Sequence, residues 1–322
     1  MERDERRGHG PPRLPDVPMK LSVEFPSVAY REGPEAVGRF ARAVEQIGYD
    51  HIDVFDHVVM GLAIDGRPAG PYNPAMPILE ALMTLAFVAA VTTRVTLGTE
   101  VLVLPQREPT LVAKQVSTLD TLSGGRVRLG VGVGWQASEY EALGESFQTR
   151  GARMDEAIRL LRTYWGEPRI DLDGTHYRAT AMSMEPKPPQ GRALPIWIGG
   201  SSEAAYRRVG RLGDGWLASR VADAEDARDA IAAIRRHAEE AGRDPGAIGL
   251  QSMVAPPPRD AEGKRFYAEH DRVVARVAAL HAMGFGWVSL NATAVFQAGA
   301  RSVDAMIDAL GALHSRLRTE TR

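Results

Sequence analysis

Eight short apolar segments, each followed by a stretch of helical periodicity, predict an α/β protein, a (β/α)₈ TIM barrel with insertions at its C-terminal face. Parallel neighbours need crossovers of about a dozen residues or more, and helices usually supply them. A doubly wound open sheet would carry a G-x-G-x-x-G turn after its first strand. The opening segment LSVEFPSVAY has no glycine. Beyond the strand–helix rhythm no repeat of roughly 20–50 residues is visible, which argues against a solenoid.

The first strand falls at residues 21–25, and residues 34–47 form an amphipathic helix with Val37, Phe40, Ala41, Val44 and Ile47 at helical spacing. Gly48 ends that helix, and HIDVFDH at 51–57 is the second strand. A loop punctuated by Gly61, Gly66, Pro68, Gly70, Pro71 and Pro74 leads into a helix over 77–91. The third strand spans 95–104, a helix over 111–122 is closed by Ser-Gly-Gly, and the fourth strand spans 127–133. A short helical stretch at 138–143 precedes a long helix at 152–165, with Met154, Ile158, Leu161 and Trp165 on one face. DGTHY at 173–177 reads as a small hairpin turn. Strands five to eight lie at 195–200, 216–219, 248–254 and 287–292, with helices at 202–212, 224–241, 265–283 and 303–317.

Composition bounds the function. At 322 residues, 44% hydrophobic and 25% charged, the chain can bury a large core. A net charge of −2 lacks the basic excess of a nucleic-acid footprint. The absence of cysteine removes disulfides, thiolate metal sites and a cysteine nucleophile. The eight histidines form no H-E-x-x-H or H-x-x-E-H pair, so no metal is expected, and no G-x-S-x-G elbow occurs. The longest apolar run, 82–91, is about half the roughly 20 residues of a membrane span. A cytoplasmic protein is expected. Residues 1–18 are charged, rich in Pro and Gly, and lack the apolar centre of a secretory signal. They read as a flexible extension, or an over-called start, ahead of a single domain over 19–322, because Met19 opens MKLSVEFP.

Barrel chemistry sits at the C-terminal strand ends. That rule selects Asp56 and His57, Thr99 and Glu100, Gly134, Trp135 and Gln136, Gly199 to Ser202, and Asn291 and Thr293. Asp56 and His57 also suit a plain turn, capped by the one and solvating the other. Glu100 inside an apolar strand must be paired, hydrogen-bonded or neutralised, which favours a charged cavity wall. Gly199, Gly200, Ser201 and Ser202 suit a capped strand-to-helix turn and equally an anion site at a helix N-terminus. Gly130, Gly132 and Gly134 alternate along strand four, where glycine marks either a crowded interior or the close approach of another molecule. The SGGR turn at 123–126 faces the opposite end of the barrel and reads as a helix C-cap.

Several ordered blocks carry a resemblance: DHVV from Asp56, VTTRVTLGTEVLVLP from Val91, AKQVSTLDTLSGGRVRLGVGVGW from Ala113, RGARMDEAIRLLRTYW from Arg150 and PKPPQGRALPIWIGGSSEAA from Pro186. Together they resemble the bacterial-luciferase-like superfamily of flavin and deazaflavin barrel oxidoreductases, and most closely its branch dependent on coenzyme F420. The resemblance implies that His57 is an acid/base beside the cofactor ring and that Asp56 contacts the cofactor. It implies a non-prolyl cis peptide at Glu100–Val101 behind the ring, further cofactor contacts at Val133, Gly134 and Ser138, and a phosphate held at Gly199, Gly200, Ser201 and Ser202. On that reading the strand-four glycines make room for the ring system. Where the family's sugar-phosphate dehydrogenases carry an acid/base glutamate, this chain has Trp135, and their basic phosphate-binding residues are not recognisable. Phe25, Met60, Tyr72 and Trp135 therefore suggest a small apolar or aromatic substrate. Hydride transfer with F420 is the expected reaction, oxygenation with reduced FMN the alternative, and a non-catalytic flavin-binding barrel a third reading that Asp56, His57 and Glu100 argue against. A homodimer, and a separate reductase supplying reduced cofactor, are the expected protein partners.

Overall fold

The computed structural model describes residues 19–219 and 221–320, so the expectation for residues 1–18 lies outside the described residues. The chain opens with β1 (Lys20–Glu24), α1 (Pro34–Ile47) and β2 (His51–Val54). Pro34 starts α1 at a position whose N–H has no helical partner, and Gly48 ends it in the left-handed conformation, φ 111°. The face of α1 read from the sequence is the one that Val37, Phe40, Ala41 and Val44 bury. Next come α2 (Ala81–Val91), β3 (Thr96–Thr99), β4 (Leu102–Val103) and α3 (Pro109–Ser123). The helix expected from residue 77 begins later, because the Glu80 side chain caps it by accepting from Met83 N. Gly124 closes α3 with its N–H on the carbonyls of Asp120 and Thr121, so the SGGR turn is a C-cap.

The chain continues with β5 (Val127–Gly132), α4 (Ala137–Ala142), α5 (Arg150–Gly166) and the hairpin of β6 (Ile170–Asp173) and β7 (Arg178–Met182). Then follow β8 (Ile196–Gly199), α6 (Glu203–Leu212), β9 (Gly215–Ala218), α7 (Ala224–Glu240) and β10 (Gly249–Met253). The last elements are α8 (Ala261–Ala268), α9 (His270–Ala282), β11 (Trp287–Asn291), α10 (Ala292–Ala298) and α11 (Val303–Glu320). The single helix expected over 265–283 is two, separated at Glu269, whose extended backbone (ψ 92°) stops α8. The short α10 was not expected; Asn291 caps it by accepting from Ala294 N.

All the barrel strands pair in parallel, and the ring closes from β11 back to β1 and from β3 to β5. With β3 and β4 as two halves of one stave, the barrel has the eight strands the sequence predicts. The stave breaks at Glu100–Val101, the peptide the resemblance marked, and that bond is cis. The side-chain spaces at Gly130, Gly132 and Gly134 are already taken. A Cβ on Gly130 would lie 1.8 Å from the Thr99 carbonyl oxygen, one on Gly132 2.5 Å from Val101, and one on Gly134 2.6 Å from Val103. The glycines make room for the irregular neighbouring stave, so the crowded-interior reading holds for their side-chain space. No helix among the described residues is long and apolar enough to cross a membrane.

The barrel interior carries a polar layer. Asp53 accepts from Ser22 Oγ at 2.6 Å and Gln251 Nε2 at 3.0 Å, pairs with Arg128 at 3.2 Å, and bonds His51 Nε2 at 2.8 Å. The Arg128 guanidinium lies between the rings of Trp197 and Trp287, 4.4 and 4.8 Å from their centroids.

Candidate active site

Above that layer the C-terminal strand ends open into a cavity of about 800 Å³. Of the sequence-selected residues, Phe25, Asp56, His57, Tyr72, Glu100, Val101, Val133, Gly134, Trp135, Gly199 and Gly200 line it, as do Asn291 and Thr293. Ser138, Ser201 and Ser202 do not line it. Ser138 abuts Gly61, and Ser202 caps α6 by accepting from Ala205 N at 3.3 Å.

His57 follows β2 and is buried in the wall. Its Nδ1 lies 2.9 Å from Glu139 Oε2, and Glu139 also accepts from Gln106 Nε2 at 3.1 Å and from the N–H of Val58 at 2.6 Å. Burial pushes the Glu139 carboxyl up, but the bond and charge of His57, with Gln106 and Val58, outweigh it and hold the carboxyl below its ordinary value. An ionised carboxylate only accepts, so Nδ1 carries a hydrogen and Nε2 is left for exchange with the cavity. The ring sits edge-on against Phe55, Tyr72 and Trp135, at centroid separations of 5.1, 6.0 and 5.4 Å.

Asp56 is tied to its scaffold as well as to the cavity. Its carboxylate pairs with Arg107 at 2.7 Å and accepts from Val103 N at 3.0 Å, fixing the stave just past the cis bond. On the floor, Glu24 accepts from Asn291 Nδ2 at 2.8 Å, while both Glu100 oxygens are buried without a hydrogen-bond partner. Burial, then the charge of Asp53, pushes the Glu24 carboxyl up to about 8. Burial pushes Glu100 well above its ordinary value, with Asp53 and Glu24 adding to the effect.

Sequence reading missed Glu139, which stands behind His57, and Glu24, Arg31, Arg259 and Arg301, which line the cavity. Glu139 carries one local signal, an acid on the short helix just beyond a strand exit. The arginines carry none, because they come from segments more than 200 residues apart at the extremes and only barrel closure unites them.

Luciferase-like monooxygenase is the description of the family that matches residues 19–305. An uncharacterised protein of Mycobacterium tuberculosis is 36% identical over 211 residues, 63% of this chain and 71% of that one. The F420-dependent glucose-6-phosphate dehydrogenase of Kineococcus radiotolerans is 30% identical over 261 residues, 78% of this chain and 73% of the relative. Among solved structures, an F420-dependent secondary alcohol dehydrogenase in complex with an F420–acetone adduct superposes with a TM-score of 0.76 at 18% identity, covering 94% of this chain and 99% of that one. At that identity the likeness speaks to the barrel alone.

Proposed function

The chain belongs to the luciferase-like monooxygenase family, and from that premise we propose that it is an F420-dependent oxidoreductase that moves a hydride between the deazaflavin and a small apolar or aromatic substrate. One observation carries the reading: an imidazole oriented by an ionised carboxylate stands among aromatic rings on the wall of a cavity of about 800 Å³. The cavity volume suits a cofactor-sized ligand, and the relative named as F420-dependent supports the deazaflavin over FMN.

The residues present fit such a group. Asp56, Glu100, Val101, Val133 and Gly134 would border its ring system, and Gly199 and Gly200 offer bare backbone toward the start of α6, with Ser138, Ser201 and Ser202 as outer contacts. When bound, the deazaflavin supplies the hydride chemistry. The protein supplies position and a proton. Glu139 fixes the tautomer of His57, and Nε2 gives or takes the proton that accompanies the transfer. Phe25, Tyr72 and Trp135 would hold the substrate and keep water from the reacting face. Arg31, Arg259 and Arg301 leave room for an acidic group on that substrate. A cytoplasmic homodimer, supplied with reduced cofactor by a separate reductase, completes the proposal.

The family's description favours a second reading, oxygenation with reduced FMN. Fluorescence-quenching titration of the purified protein with F420 and with FMN separates the two. Tighter F420 binding is expected; micromolar FMN binding with no detectable F420 binding would overturn the proposal.

A further inference from the structure

Glu24 ends β1 and Glu100 follows β3 on the floor of the cavity, and both are buried, at 6% and 8% exposure. Neither belongs to the His57–Glu139 pair. The groups packed around them come from five staves: Ser22 from β1, His51 and Asp53 from β2, Arg128 from β5, Gln251 from β10, and Ser289 and Asn291 from β11. Arg128 is the permanent cation of this set; its Nη2 serves Asp53 and Gln251 Oε1, the latter at 2.8 Å, while its Nη1 has no partner. His51 is spent between Thr96 and Asp53; burial, more than the nearby Arg128, lowers its pKa, while Asp53 acts to raise it. The enclosed space thus holds three carboxyls, Glu24, Asp53 and Glu100, against one permanent positive charge, that of Arg128, with His51 turned to Asp53.

Like charges enclosed together cannot all ionise. Asp53 has the donors and the cation, so it takes the charge. Glu24 has one amide donor, and neither Glu100 oxygen meets a donor in hydrogen-bond geometry; the neighbouring Ser289 hydroxyl and the Arg128 charge favour its ionised form less than burial opposes it. A buried carboxyl in that position is stable as the neutral acid, which has an O–H to donate.

We propose that Glu24 and Glu100 hold a proton on the cavity floor and form a second acid site, one that donates a hydrogen bond to a neutral acceptor, such as a carbonyl oxygen, of the molecule bound above. The proposal rests on the reading of the cavity as an active site for the identity of that molecule, and on the chain's own residues for the rest. It gives the cavity two polar groups of opposite character. The wall has an ionised carboxylate behind His57, and the floor has a neutral acid.

Infrared spectroscopy of the full-length, ligand-free protein at neutral pH, in H₂O and D₂O, reads the floor directly. A deuterium-sensitive C=O stretch of a protonated carboxyl is expected, altered in Glu24→Gln and in Glu100→Gln and lost in the double variant. The wild-type protein alone decides the first point, so a variant that fails to fold does not block the test. No such band in the wild type would overturn the proposal, as would a band unchanged in the double variant. Carbonyl-labelled acetophenone serves as the acceptor probe. Its C=O stretch is expected to move to lower frequency on saturable binding and to return toward the free value in Glu100→Gln; no saturable binding, or an unshifted stretch, removes the donor role. Failure of F420 to bind would sink the cofactor reading and leave the infrared result standing.

Discussion

At His57 the position of the proton follows from Glu139, whose carboxylate is held ionised and lies 2.9 Å from Nδ1. If Nε2 moves the proton of the reaction, His57→Ala should lower kcat about 10²–10⁴-fold, the usual scale for a lost general acid or base. Cofactor affinity should change far less, because the glycine turn before α6 lies on another part of the wall; equal losses in both would make His57 a packing residue. Glu139 acts through His57. Glu139→Gln should change the imidazole ¹⁵N shifts that report the tautomer, a readout that a merely structural role leaves unmoved. Glu24 makes the complementary prediction. Its folded pKa is raised from 4.5 to about 8, so between those values the folded chain holds a proton that the unfolded chain has lost, and stability falls as pH rises through that window. The melting temperature should drop by about a few degrees across it, and Glu24→Gln should reduce that slope, leaving the share that Glu100, also raised by burial, contributes. A wild-type melting temperature that climbs over the same window would contradict the assignment.

Among the elements, the stave split into β3 and β4 sets the demands on its neighbour β5. Three alternating glycines accept the Thr99 carbonyl, Val101 and Val103 in turn. The obstacle at Gly130 is backbone, which cannot rotate away. Gly130→Ala should therefore cost about 3 kcal/mol or more, by overpacking of a rigid interior. Gly286→Ala, with nothing within 4 Å of its new Cβ, is the matched control. Urea denaturation of both variants checks the contrast, and equal midpoints would show that the staves can separate. The α4 helix does a different job. Its Glu139, with Gln136 just before it, binds the backbone at Val58, Val59 and Gly61 and so fixes the loop that follows His57.

Across the whole molecule, the barrel is sealed where its first and last segments meet. Arg318 on α11 donates to the Met19 carbonyl at 2.7 Å and to Asp50 at 2.6 Å, and Met19 is fully buried. Arg318→Ala should lower stability by about 1–2 kcal/mol, since two partly buried, charge-assisted bonds are lost. Calorimetry would measure it as a lower melting temperature, with F420 affinity unchanged because the seam lies at the N-terminal end of the strands. Loss of affinity in step with stability would show that the seam communicates with the cavity.

The strand–helix alternation apart from the α8–α9 break and α10, the eight-stave barrel and the strand ends near His57, Glu100 and Gly199 were legible in the sequence. Each rests on periodicity and punctuation within one element or one turn. The break at Glu100–Val101 was legible only through resemblance, since nothing in an apolar run announces it. Tertiary structure alone decided what each side chain meets. Glu139 reaches His57 across 82 positions and Asn291 reaches Glu24 across 267, and the rim collects Arg31, Arg259 and Arg301 from both ends of the chain. Local pattern specifies which face of a strand turns inward. Which inward residues share a layer depends on the tilt and stagger of the closed barrel, a property of all eight staves together.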